Sequence, residues 1–264
     1  MTTAAAPVRW AVPAGPASGP FVARSVVELI GNTPLVEILD LRDGVPPAVR
    51  ILAKLEGFNP GGSVKDRPAR KMIEVGLAQG KLVPGKTIID STSGNTGIAL
   101  AMIGAALGYP VELVMPGNVS AERKRIVAAF GATVIFSDPL EGSDGAIRLC
   151  RKILAETPEK YFKPDQYNNE ANPLAHFETT GPEIWEQTGG QVTHLVASIG
   201  TSGTIMGTGR YLKQRRRAIQ VIAAEPEDAF HGLEGLKHMA SSIVPGIYHE
   251  DELDQKLGIA TDEA

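Results

Sequence analysis

Residues 87–107, TIIDSTSGNTGIALAMIGAAL, combine an apolar strand, a polar loop and a helix of small residues. We predict a strand over 87–90 and a helix over 96–107 that ends at Gly108. The loop between them, 91–97, holds four hydroxyl side chains, an amide and two glycines. Open α/β sheets bind ligands at this edge, and the N–H groups of a helix start suit a carboxylate. The pattern therefore favours a ligand-binding loop, with a heavily capped helix start as the alternative.

The same alternation of apolar strands and helices continues on both sides of this stretch. We predict further strands at 49–56, 111–115, 133–136, 194–198 and 220–224. Helices are predicted from 64 to about 79 and at 121–130, 145–156, 173–188 and 204–217. Such alternation indicates an α/β fold with parallel sheets flanked by helices. After residue 225 we predict loops and then a charged, weakly helical stretch, without a final strand and helix to complete the sheet.

Composition excludes several classes of protein. Hydrophobic residues make up 43% and the formal net charge is −4, which argues for a buried core and against a general nucleic-acid surface. No run of 18 apolar residues or signal peptide is visible, so we predict a cytoplasmic protein without a membrane span. One cysteine, Cys150, excludes a disulfide framework, and the five histidines lack the spacing of metal ligands. Residues 1–20, rich in Ala, Pro and Gly, are predicted to form a disordered tail.

A glycine-rich loop precedes a lysine in residues 59–67, NPGGSVKDR. Lys65 lies at or near the first turn of a predicted helix, where the helix dipole disfavours an ammonium group. The neutral amine is the form that Schiff-base chemistry requires. The alternative is an ordinary lysine in a helix capped by Ser63.

A second glycine loop, residues 200–204 (GTSGT), lies between a predicted strand and a helix. Its glycines let the backbone wrap an anion, while the hydroxyls and the helix dipole help to hold it. It lacks the spacing of a nucleotide-binding loop, and a simple tight turn is the alternative. A lysine, a phosphate cup and a carboxylate loop together are what pyridoxal phosphate and an amino acid require.

Five motifs in this order resemble the cysteine synthase / cystathionine β-synthase family of fold-type II pyridoxal-phosphate enzymes. They are ELIGNTPL (28–35), NPGGSVKDRPA (59–69), TSGNTGIALA (92–101), TTGPEIW (179–185) and GTSGTIMGTGRYLK (200–213). The resemblance implies a smaller α/β domain at 57–168 and a larger cofactor-binding domain at 21–56 plus 169–264. It also implies a homodimer.

The resemblance implies a role for each motif residue. Lys65 would form the Schiff base and shuttle a proton, and Asn95 would bond the ring hydroxyl of the cofactor. The substrate carboxylate would be held by Thr92, Ser93, Thr96 and Gln166. The cofactor phosphate would be held by Gly200, Thr201, Ser202, Gly203 and Thr204.

The implied reaction is a β-replacement that makes L-cysteine from O-acetylserine or O-phosphoserine and sulfide. Other nucleophiles, giving cystathionine or diaminopropionate, remain alternatives.

The sequence departs from the family pattern in two places. Lys237 and His238 place cations where the family has a glycine-rich loop, which favours a phosphate leaving group. Family members also continue beyond the position of Ala264, so we expect an incomplete sheet, weak cofactor binding, or a non-catalytic remnant.

Overall fold

The computed structural model describes residues 22–39, 44–92, 94–233 and 235–264, so the predicted disordered tail 1–20 lies outside the described residues. The described strands are β1 (Leu35–Glu37), β2 (Leu52–Lys54), β3 (Thr87–Ser91), β4 (Val111–Pro116), β5 (Thr133–Ser137), β6 (Tyr161–Phe162), β7 (His194–Ser198), β8 (Gln220–Pro226) and β9 (Gln255–Ile259). The helices are α1 (Asp66–Ala78), α2 (Asn95–Leu107), α3 (Ala121–Ala129), α4 (Gly142–Glu156), α5 (Ala171–Glu178), α6 (Thr180–Gln187) and α7 (Gly203–Arg215). Both α/β architecture and parallel sheets are confirmed.

A four-stranded parallel sheet carries the loop that opened the sequence analysis. Its order is β5-β4-β3-β6, so β3 is an inner strand, and every residue of β3 is buried. Strands buried on both faces are typical of parallel sheets covered by helices. α2 follows β3 and is buried from Thr96 to Gly104, because a helix of small and apolar residues on all sides belongs inside a core.

A three-stranded parallel sheet, β7-β8-β9, occupies the second half of the chain. The prediction of a weakly helical end is wrong: β9 pairs in parallel with β8, from Ile222 opposite Gln255 to Pro226 opposite Ile259. A strand at the edge of a sheet tolerates charged residues, which hid its signal. Asp254 anchors the strand, since its carboxylate accepts a hydrogen bond from the Val221 N–H at 2.7 Å.

Two further predictions on element bounds are corrected. The predicted helix 173–188 is two helices, α5 and α6, with a break at Thr179 (φ −126°, ψ −68°). Pro182 disfavours a continuous helix because it has no N–H to bond the carbonyl four residues earlier. Gly181 has no side chain, and this lets α6 approach Tyr211: a Cβ at Gly181 would lie 2.7 Å from the Tyr211 Cβ. The predicted strand 49–56 shortens to β2, which pairs antiparallel with β1.

The domain division remains a prediction. All strands of the four-stranded sheet come from residues 87–162, inside the predicted smaller domain, and the other two sheets come from outside it. Within the part of the chain that the structure describes, none of the helices has the length and apolar character needed to cross a membrane.

Candidate active site

Lys65 lies at the N-terminal boundary of α1, where its own N–H donates to Ser63 Oγ at 3.2 Å. Burial of the amine lowers the Lys65 pKa from its ordinary value, and the charge of Glu56 opposes that shift only in part. Burial disfavours the ammonium form because the charge loses its water. The structure thus provides the environment that Schiff-base chemistry asks of a lysine.

The predicted carboxylate loop connects β3 to α2. Thr92 is buried, and its Oγ1 accepts a hydrogen bond from the Gly94 N–H at 3.2 Å. Thr96 is buried in the first turn of α2, and its hydroxyl donates to Gln166 Oε1 at 2.7 Å. Asn95 is exposed at the start of the helix. The structure therefore brings Gln166 to the loop, although 70 residues separate it from Thr96; Ser93 lies outside the described residues.

The predicted phosphate cup connects β7 to α7. Gly200 is packed so closely that a Cβ there would lie 2.3 Å from the Gly235 carbonyl oxygen. Ser202 has a left-handed backbone (φ 71°), and its buried Oγ has no hydrogen-bond partner within the described protein. Gly203 and Thr204 form the first turn of α7. The cup therefore presents helix N–H groups and hydroxyls together.

Two side chains that sequence reasoning did not select join these motifs. His176 contacts Thr180 Oγ1 through Nδ1 at 2.9 Å and Thr204 Oγ1 through Nε2 at 3.3 Å. Burial, helped by the charge of Arg67 and opposed by that of Glu56, lowers the His176 pKa to about 3, so the ring is neutral. The other is Asn172, whose amide contacts both Gln166 and Thr201. The motif TTGPEIW was visible in the sequence, but His176 lies before it and had no partner until the fold placed Thr204 beside it.

A buried ion cluster holds the start of α1 in place. The Arg67 side chain, 1% exposed, donates to Glu56 at 2.7 Å and to Glu183 at 2.6 Å. Lys54 contacts Glu183 at 2.6 Å. Burial would raise the Glu183 pKa, but the hydrogen bonds and charges of Arg67 and Lys54 outweigh it and lower the pKa to about 2. This cluster ties the helix that follows Lys65 to α6 and to β2.

The donor set fits a cofactor phosphate. Among the described residues, Ser202 Oγ is buried without a hydrogen-bond partner. Gly200 and Gly203 carry no side chains that would fill the cup. A phosphate dianion matches N–H groups at a helix start, hydroxyl donors and a left-handed turn. The lysine with a lowered pKa supplies the amine that a pyridoxal aldehyde requires.

Comparisons with known proteins agree with this chemistry. A family model described as "Pyridoxal-phosphate dependent enzyme" matches residues 26–262. A cysteine synthase of Aquifex aeolicus is 58% identical over 241 residues, covering 91% of this chain and 74% of the relative. Cysteine synthase B of Pseudomonas aeruginosa is 44% identical over 240 residues, covering 91% of this chain and 79% of the relative.

Solved structures show the same relationship. A crystal structure of cysteine synthase from Entamoeba histolytica has a TM-score of 0.88 and 38% identity, and the match covers 96% of this chain and 77% of that one. An O-ureido-L-serine synthase matches with a TM-score of 0.83 and 35% identity over 90% of this chain and 76% of that one. Because the family model matches most of the sequence and one relative is 58% identical, the chain belongs to the pyridoxal-phosphate dependent enzyme family and uses pyridoxal phosphate as its cofactor.

Proposed function

We propose that this chain makes L-cysteine from an activated serine and sulfide by β-replacement. The observation that carries the proposal is that one chain holds a buried lysine of lowered pKa, a hydroxyl-rich loop bonded to Gln166, and a glycine loop with the buried Ser202 hydroxyl. The cysteine synthases among its relatives favour sulfide over other nucleophiles. In the reaction an activated serine loses its β-substituent as acetate or phosphate, and the sulfur of sulfide takes its place.

Lys65 binds the cofactor and afterwards moves protons at the α-carbon of the amino acid. Pyridoxal phosphate, when bound, supplies an electron sink for the bond from which that proton leaves. The neutral Nζ of Lys65 accepts the proton, because burial keeps its pKa below that of a solvated lysine. The same ammonium can return the proton after sulfur has added.

The remaining motif residues bind and orient the two partners. Thr92, Thr96 and Gln166 hold the substrate carboxylate with N–H and O–H donors at the start of α2, and Ser93 is assigned to the same group from the sequence. Asn95 bonds the ring hydroxyl of the cofactor. The phosphate is held by Gly200, Thr201, Ser202, Gly203 and Thr204. Fixing both ends of the reacting pair lowers the entropy cost of reaching the transition state.

The test is turnover by Lys65→Ala compared with a matched control on the same helix. Lys71→Ala removes an ammonium that is paired with Glu178 at 2.5 Å and has no place in the site. We expect Lys65→Ala to lose cysteine formation and the visible band of the bound cofactor, while Lys71→Ala keeps both. Wild-type product made from homocysteine or ammonia but not from sulfide would assign another nucleophile. Full turnover by Lys65→Ala would reject the proposal.

Lys237 favours O-phosphoserine as a donor. Its N–H bonds the Ile199 carbonyl oxygen at 3.0 Å, directly before the cup, and its Nζ lies 5.4 Å from the centre of the Tyr167 ring, one residue from Gln166. Burial lowers the Lys237 pKa, opposed by the charge of Asp144, and an anionic leaving group beside the amine would favour its ammonium form. His238 instead contacts Ser241 Oγ at 2.8 Å.

Donor preference is measured as the ratio of kcat/KM for O-phosphoserine to that for O-acetylserine. We expect Lys237→Ala to lower this ratio by roughly tenfold, since a hydrogen bond to a charged group contributes about 1.5–3 kcal/mol. His238→Ala is the matched control and should leave the ratio unchanged. A ratio equal to wild type in Lys237→Ala would show that Lys237 does not face the leaving group.

We also propose that the enzyme is a cytoplasmic homodimer. Residues 22–39 and 44–58 expose several apolar side chains. Val22 is 86% exposed, Leu39 is 62% exposed and Phe58 is 70% exposed. Apolar side chains of this size gain stability when a second copy covers them. Light scattering should give twice the 27.9 kDa of one chain, and a monomer at micromolar concentration would contradict this. Cell fractionation tests the cytoplasmic location. The buried free thiol of Cys150 supports that location, because free thiols are typical of reducing compartments.

A further inference from the structure

Two amide side chains connect the carboxylate loop to the phosphate cup. Thr96 Oγ1 donates to Gln166 Oε1 at 2.7 Å, and Asn172 Nδ2 donates to the Gln166 carbonyl oxygen at 2.7 Å. The same Nδ2 contacts Thr201 Oγ1 at 3.2 Å. We infer that Asn172 is a positioning residue that couples binding of the substrate carboxylate to binding of the cofactor phosphate. The inference rests on the function proposed above.

Asn172 is fixed in its place. It is 1% exposed in the first turn of α5, and its Oδ1 lies where a Cβ on Gly203 would be, at 2.0 Å. The backbone of the cup therefore packs directly on the amide. A side chain held this way transmits a displacement of one loop to the other, because close-packed interiors do not absorb it.

Gln166 is fixed on the other side. Its Nε2 donates to the Ser91 carbonyl oxygen at 3.3 Å. Ser91 belongs to β3, an inner strand. Gln166 thus has one rigid neighbour, β3, and two neighbours that respond to ligands, the Thr96 hydroxyl and Asn172.

The hydroxyl groups at the two ends give the coupling its direction. A threonine hydroxyl has a single proton to donate. Asn172 donates to Thr201 Oγ1, so the Thr201 proton is free for an anion in the cup. The Thr96 hydroxyl donates its hydrogen bond to Gln166, so a substrate carboxylate must replace Gln166 as the acceptor of that bond. Thr96 and Asn172 bond different groups of Gln166, its side-chain amide and its backbone carbonyl, so the coupling passes through the position of Gln166 and not through one polarised chain.

The coupling is measured as the change in cofactor affinity caused by a carboxylate that cannot react. Propionate carries the carboxylate without an amine. Equilibrium dialysis of the holoenzyme, with and without saturating propionate, gives the dissociation constant of pyridoxal phosphate in each state. We expect propionate to tighten cofactor binding at least about fivefold in wild type, within the usual range of coupling between sites.

Asn172→Ala should reduce this factor to within about twofold. The matched control is Asn169→Ala, because within the described part of the chain the Asn169 side-chain amide bonds Pro164 and Ala171, close to it in sequence. Asn169→Ala should keep the wild-type factor. If propionate tightens cofactor binding by the same factor in Asn172→Ala as in wild type, the inference is overturned. It is also overturned if the wild-type cofactor affinity does not change at propionate concentrations that inhibit turnover.

A second pair of variants serves if Asn172→Ala does not fold. Thr201→Val removes the hydroxyl that receives the Asn172 amide and should abolish the coupling, whereas Thr201→Ser keeps the hydroxyl and should restore it. Equal coupling in both overturns the inference. Cysteine formation by wild type is assayed in parallel: turnover without coupling rejects only the role of Asn172, and absence of turnover rejects the proposed function.

Discussion

At the scale of single residues, Asp66 is a buried carboxylate next to Lys65. Burial raises its pKa to about 6, although the Gly61 N–H donates to it, and its Oδ1 has no partner within the described protein. A raised carboxyl pKa stabilises the fold fully below the ordinary value of 3.8, and this contribution falls as pH rises through 6. A shift of this size corresponds to about 3 kcal/mol.

Asp66→Asn removes this titration while keeping an acceptor for Gly61. We expect wild type to lose unfolding free energy relative to Asp66→Asn between pH 4 and pH 7, as measured by urea denaturation at each pH. Asp228→Asn, at an exposed position, is the control and should follow wild type. Parallel pH profiles for wild type and Asp66→Asn would show that Asp66 does not titrate in this range.

At the scale of elements, the Arg67 ion cluster joins α1, α6 and the segment around β2. Arg67→Ala would remove the buried guanidinium from the partly buried carboxylates of Glu56 and Glu183. Breaking a buried ion pair typically costs about 3–5 kcal/mol of unfolding free energy, and we expect the lower end because Glu183 keeps Lys54. The exposed pair Arg50–Glu37, at 2.9 Å, is the matched control. Arg50→Ala should cost less than about 1 kcal/mol, and equal losses in urea unfolding would contradict the role of the cluster.

At the scale of the whole molecule, one face of the three-stranded sheet is open. Val196, 60% exposed, lies beside Ile222, and Leu257, 37% exposed, lies beside Ala224. Parallel sheets are normally covered on both faces. We expect Val196→Thr to reduce aggregation and binding of a hydrophobic dye without lowering Tm. Val221→Thr, on the covered face of the same sheet, should lower Tm; unchanged dye binding by Val196→Thr would contradict an open face.

The sequence predicted what depends on local pattern. β3 and β7 are short apolar runs and α2 is apolar on all sides, while the lysine and glycine loops are marked by residue types that few backbones need. Thr179 broke a predicted helix because α6 packs against Tyr211 of α7, which is a tertiary effect. β9 was not predicted because it contains a charged residue, Lys256, whose ion-pair partner is brought close only by folding. In the folded chain Lys256 Nζ lies 3.3 Å from a carboxylate oxygen of Glu225.

His176 and Asn172 could not be selected from the sequence for the same reason. Each is an ordinary polar residue until the fold supplies its partners, Thr204 and Thr201, which are 28 and 29 positions further along the chain. The predicted roles of the site residues stay predictions until the variants are measured.

The separation between Arg67 and Glu183 also has a consequence for synthesis. The two residues that form this ion pair are 116 positions apart, and Lys65 lies on the early side. A ribosome therefore releases Lys65 and Arg67 long before Glu183 has been translated. The ion pair can form only after α6 has left the exit tunnel, so the start of α1 gains this anchor late in synthesis.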